Sequence, residues 1–189
     1  MLRWLRNRAR TQRIGRMLYD SIVAQSRAES FYRELGVPDT MEGRFELIVL
    51  HTHLVLERLR HDGHAGQALS RALIEAFVAD MDASMREIGI ADLGVPRRVK
   101  RAAAALFERS RAYAAAQQAS GASDALPEAL AEHIHVQDGA SLNLPSQLAR
   151  YVRHAITSLD QQPSRMLLDG RLAFPDAAEI PTSGRTESR

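Results

Sequence analysis

The sequence predicts an all-α protein built as a single helical domain, and three observations carry that reading. Apolar residues recur at helical spacing, most clearly from Phe45 to Leu59. Glycine and proline punctuate the chain at helix-length intervals, at Gly36–Pro38, Asp62–Gly66, Gly89 and Pro96. The one hairpin signal, Asp169-Gly170 between the apolar runs of Met166–Phe174, is too short to stand alone. The 189 residues suffice for one domain with a real core, plus tails.

Residues 1–16 read as a basic N-terminal arm. Arg3, Arg6, Arg8, Arg10, Arg13 and Arg16 occur there without an acid, and Trp4 with Leu2 and Leu5 forms an apolar handle. Such a composition suits a mitochondrial transit peptide, a segment lying on an anionic membrane, or a solvated arm. Membrane contact through Arg3, Trp4, Arg6 and Arg10 is the expectation. The domain proper spans 17–174. It opens with a helix from Met17 to Arg27 that carries Leu18 and Ile22 on one side.

Ser30–Arg60 organises the rest. The aromatic pair Phe31 and Tyr32 precedes a stop at Gly36 and a turn through Val37-Pro38-Asp39. Asp39 or Thr40 then serves as N-cap, and Glu42, three residues past Asp39, leaves a capping box open. At 100° per residue, Phe45, Ile48, Val49, Thr52, Leu56 and Leu59 share one apolar face, and Leu47, Leu50 and Leu54 share a roughly opposite one. A helix apolar on two sides belongs between neighbours, so this one is the centre of the domain.

After the turn at Asp62–Gly66, Leu69, Leu73, Ala76 and Phe77 start a helix that Gly89 ends. Pro96 opens the next, to about Gln118, with Val99, Ala103, Leu106, Phe107 and Tyr113 facing the core. Ala119–Asp124 is a link, Leu126–Val136 and Leu144–Leu159 are shorter helices, and 175–189 reads as a disordered tail.

Composition excludes several functions. The net charge of +2, with Lys100 the sole lysine, argues against a general polybasic nucleic-acid binder, and no specific nucleic acid is expected. The absence of cysteine removes disulfides, thiolate chemistry and cysteine-held metals. No apolar run reaches the roughly 18 residues of a membrane span. No Sec-type apolar leader is recognisable, which argues against export. No G-x-S-x-G, Walker loop or H-E-x-x-H is found, so no enzyme is expected.

Three constellations stand out. His53, Glu57 and His61 drift only about 80° around a helix, a metal-capable spacing, but the Glu-x-x-His partners of a di-metal bundle are missing. A polar helix edge is the simpler account, and no cofactor is expected. Asp80 falls at the angle of Leu69 and Leu73, so it is expected to be a buried carboxylate paired with Arg44, Arg86 or Arg98. Arg97, Arg98, Lys100 and Arg101 crowd the first turns after Pro96, where cations oppose the helix dipole. Nearby acids (Asp80, Asp82, Glu87, Asp92) offset them internally, or an anionic partner does.

Residues alone reach a helical, non-catalytic domain. The words FYRELGVPDTMEGRFE (Phe31–Glu46), DMDASMREIGIADLGVP (Asp80–Pro96) and RRVKR (Arg97–Arg101) go further and resemble the ubiquinol–cytochrome c chaperone family. The chain departs from that family's pattern at Ala91, often glycine there, and at Leu106–Arg109, where F-Y-G-R is common. The resemblance implies an all-helical, non-catalytic assembly factor of the cytochrome bc complex that binds newly made cytochrome b. It also implies, in mitochondria, a small co-chaperone and a place near the ribosome. Location at the inner face of the cytoplasmic membrane is expected, or in the matrix if the source is eukaryotic. Arg44, Glu46, Asp82, Arg86, Glu87, Arg97, Arg98, Lys100 and Arg101 are the expected partner-binding residues. The alternative is a lipid- or quinone-binding helical module with its groove beside the central helix.

Overall fold

A computed structural model describes residues 2–89, 93–119, 124–134 and 143–179, with side chains from Arg6 onward. Among these residues there are eight α-helices and no strand. They are α1 (Leu2–Ser26), α2 (Glu29–Arg33), α3 (Met41–Leu59), α4 (Gly63–Glu87), α5 (Val95–Gln118), α6 (Ala125–Ala131), α7 (Leu144–Gln161) and α8 (Ser164–Leu168). One 3-10 turn, Arg60–Asp62, joins α3 to α4, and a second, Ala177–Glu179, closes the described chain.

The two-sided α3 separates two cores. Leu47, Leu50 and Leu54 join Phe31, Tyr113, Leu148, Tyr151 and Val152 on one side. Val49, Val55 and Leu59 join Leu18, Ile22, Leu73, Phe77 and Leu106 on the other, with Phe45, Ile48 and Leu56 half-buried at its margin. These are the two faces that the 100° periodicity assigns.

Thr40 is the cap of α3: its hydroxyl accepts from the Gly43 amide at 3.1 Å. Asp39 instead binds Arg44 through its side chain, Nε to Oδ1 at 2.6 Å. A Cβ at Gly43 would run into the Pro38 carbonyl, so the turn and the helix start require glycine there.

Several elements depart from expectation, each for a physical reason. Helix α1 passes through residue 16 unbroken, because Gly15 lets α1 approach α4 so closely that a Cβ would lie 2.6 Å from Ala72 Cβ. Ile14 is buried with it. Helix α4 begins at Gly63, six residues before Leu69, since the 3-10 turn feeds straight into it. Phe107 is 53 % exposed rather than in the core, as Leu106 and Tyr113 define the buried side of α5. Asp169-Gly170 makes no hairpin. The chain there ends α8, with Gly170 at φ +77 and its amide donating to Leu167 O at 2.9 Å. The stretch from Pro175 to Glu179, assigned to the tail by composition, is in part packed: Ala177 is buried and Pro175 O accepts from Gln25. Residues 180–189 lie outside the described residues, as do most of the Ala119–Asp124 link and Val136.

Candidate partner-binding surface

Helix α5 runs parallel to α3. Glu46 faces Arg109, and seven residues further on His53 faces Gln117. Met41, where α3 begins, therefore lies opposite residue 104 or so. At 1.5 Å per residue the first nine residues of α5 extend about 13 Å past the start of α3. With the end of α4 they form the tip of a helical hairpin, whose inner side holds Met81, Val95 and Ala102.

The tip is apolar and charged at once. Ile88 is 53 % exposed and Leu93 98 %. Arg97, Arg98, Lys100 and Arg101 are all exposed, and none forms an ion pair among the described residues. Lys100 and Phe107 stand seven residues apart on one face of α5, so an exposed ring continues the basic stripe. Two of the acids proposed from sequence as internal partners, Asp80 and Asp82, are used elsewhere. Asp82 accepts from Arg86 Nε at 2.7 Å, which holds its carboxyl below the usual range, and Glu87 is exposed. Asp92 lies outside the described residues. Thus Asp82, Arg86, Glu87, Arg97, Arg98, Lys100 and Arg101 come together on one hairpin.

Arg44 and Glu46 do not join them. Arg44 stays exposed beside Asp39. Glu46, expected at the surface, is 6 % exposed and holds a two-bond pair with Arg109, Nε to Oε2 at 2.6 Å and Nη2 to Oε1 at 2.8 Å. Its carboxylate serves the α3–α5 contact, and the Arg109 guanidinium also caps the Phe45 ring at 6.0 Å. Asp80 is half-buried rather than deeply buried, and its described bond comes from the Tyr19 hydroxyl at 2.9 Å, not from an arginine. Burial, then the Asp80 carboxylate, push the Tyr19 hydroxyl far up. On the arm, Arg6 and Arg10 are exposed, with Arg10 3.6 Å from Asp169; the side chains of Arg3 and Trp4 lie outside those described.

His53, Glu57 and His61 do not converge on a metal position. His53 packs on Tyr113, Glu57 binds Arg60 at 3.0 Å, and His61 is exposed. Among the described residues no three His, Asp or Glu groups are placed to hold a metal.

Two buried polar clusters escape sequence reasoning. His51 is fully buried; its Nδ1–H donates to Leu47 O at 2.7 Å, so Nε2 accepts from the Tyr151 hydroxyl at 2.7 Å. Arg58, 6 % exposed, binds Leu159 O, Asp62, Gln162 O and Ser164, and so closes the open carbonyl end of α7. The only sequence signal was a histidine and an arginine on the apolar faces of α3.

Comparisons with known proteins agree on one family. The family model described as ubiquinol-cytochrome C chaperone matches residues 33–174. A Drosophila melanogaster protein named ubiquinol-cytochrome c reductase complex assembly factor 1 is 25 % identical over 162 residues, 82 % of this chain and 61 % of its own length. The human protein of that name is 26 % identical over 73 residues, 39 % of this chain and 24 % of its own length. The chain thus spans less than two-thirds of these relatives. The crystal structure of the Cbp3 homolog from Brucella abortus superposes with a TM-score of 0.80 at 32 % identity, covering 95 % of this chain and 99 % of that one.

Proposed function

Because the chain belongs to the ubiquinol–cytochrome c chaperone family, we propose that it assists assembly of the cytochrome bc complex by binding newly made cytochrome b at a membrane surface. The observation that carries this reading is the hairpin tip. Ile88 and Leu93 offer apolar contact to the exposed helices of an unassembled membrane protein, and the four cations beside them orient it. Cations at a helix start cost stability, so their concentration there fits an anionic or dipolar partner better than an internal role. No described helix is long and apolar enough to cross a membrane. Arg6 and Arg10 on the exposed part of α1 supply contact with anionic lipid, at about 1 kcal/mol per arginine. A small co-chaperone is a further partner in this reading.

The test is charge reversal at the tip. Arg97→Glu with Arg98→Glu lowers recovery of cytochrome b in pulldowns while the thermal melt stays put. Deleting the gene depletes the assembled bc complex and spares other respiratory complexes. Normal bc complex in the deletion strain, with no paralogue present, would sink the assignment.

A further inference from the structure

Helix α5 carries six basic residues and one acid, Glu108. Helical spacing sorts its residues by face. At 100° per residue Val95, Ala102, Leu106 and Tyr113 fall within about 40° of one another, and all four are buried. Arg97, Lys100, Ala104, Phe107 and Arg111 fall within about 80° on the opposite side, and all five are exposed. The stripe they form is about 21 Å long at 1.5 Å per residue. Among the described residues Arg97, Lys100 and Arg111 form no ion pair, whereas Arg109, on the flank toward α3, is committed to Glu46. Phe107 is 53 % exposed, so an aromatic ring meets water with cations on both sides of it along the helix.

Spacing, charge and place in the bundle select one occupant. The five positions recur at alternate intervals of three and four, the a/d seam on which a second helix packs. Ala104 puts a single methyl group between Lys100 and Phe107, which leaves room there for a partner's side chain. Cations at both ends of the stripe call for acids opposite them. Ala104 and Phe107 are its only apolar residues, too few for a helix that lies in a bilayer. Helices α1 and α5 each pack on both α3 and α4, so α5 stands diagonally across the bundle from α1. A bilayer held by the arm on α1 therefore lies away from this face. We propose that the outer face of α5 docks one amphipathic helix of a partner protein distinct from the client at the tip. That helix is apolar at its centre and carries acids about eleven residues apart, three turns, which meet Lys100 and Arg111. The proposal does not depend on the cytochrome b reading: Arg97 and Lys100 border the tip, but Ala104, Phe107 and Arg111 lie beyond it.

The test places a photo-reactive benzophenone amino acid at position 107 of the full chain, in cells that assemble a bc complex, and identifies the crosslinked peptide by mass spectrometry. The expected product is a helical segment of a protein other than cytochrome b, with acids bracketing an apolar centre. A synthetic peptide of that segment is then titrated against the purified parent and two variants at exposed positions, Arg111→Glu and Ala104→Leu. Each variant is expected to keep the parent's thermal melt and to weaken the peptide about ten-fold. A peptide with lysine in place of the acid opposite Arg111 restores binding to Arg111→Glu and loses it to the parent, which a merely sticky surface would not do. A crosslink to cytochrome b would merge this face with the tip and overturn the proposal. A crosslink to lipid alone, one to a second copy of this chain, or none at all overturns it as well. So does equal peptide affinity for the parent and the folded variants.

Discussion

Mild acid is predicted to destabilise this protein through two buried histidines. Burial holds His51 and His53 at about 4, against an ordinary value of 6.5, so both are neutral in the folded chain. Protonation at His51 would put a second donor against the Tyr151 hydroxyl, which already donates to it. The sign follows from proton uptake. Between pH 6.5 and 4 the unfolded chain binds protons that the folded chain does not, so stability is full above 6.5 and falls as pH falls toward 4. For each histidine the loss from pH 7 to pH 5 is about 2 kcal/mol, approaching about 3 kcal/mol below pH 4. Together they cost about 4 kcal/mol at pH 5, a large share of a typical domain's stability. Asp39 and Asp82 add nothing to this window, since Arg44 and Arg86 hold them below their ordinary range. Urea melts at pH 7, 6 and 5 measure the slope, and His53→Gln removes one of the two titrating groups. The variant should lose about half as much stability over that range. An unchanged pH dependence in a folded variant would refute the reasoning.

Other substitutions test the fold. Leu50→Ala, at a fully buried position of α3, should cost about 2–5 kcal/mol in denaturant melts, and Leu56→Ala, only half-buried, clearly less. Glu46→Ala strands Arg109 and should destabilise by about 3 kcal/mol, part of which a second change, Arg109→Leu, restores. Gly43→Ala drives a methyl group into the Pro38 carbonyl and should cost about 1–3 kcal/mol, read as a lowered melting temperature. Liposome sedimentation of the parent against Arg6→Glu with Arg10→Glu, both exposed, tests the arm: the parent binds anionic vesicles more tightly, and added salt erases the difference.

What the sequence determined by itself is what depends on near neighbours. Helical spacing placed Leu47, Leu50 and Leu54 opposite Val49 and Leu59, and those two sets line the two cores. A cap at Asp39 or Thr40 was legible because a capping side chain need reach only the first turn, and the structure takes Thr40. The basic word after Pro96 was legible as a candidate surface for the same reason, since four cations within two turns must share a helix end. Partner choice was not legible. Periodicity marks Glu46 as a charged residue at a helix start, but Arg109 is 63 positions away, and only the packing of α5 on α3 brings the two together. His51 and Tyr151 are 100 positions apart, Arg58 and Leu159 101, and Gln25 and Pro175 150. The Asp-Gly pair at 169–170 shows the same boundary at short range. It announces a backbone turn that glycine allows, but whether a strand or a packed extended segment follows is decided by Gln162, Gln25 and His51, which lie on other elements. Local geometry needs only the chain's own stereochemistry, whereas a buried polar group takes whichever partner the assembled helices leave within reach.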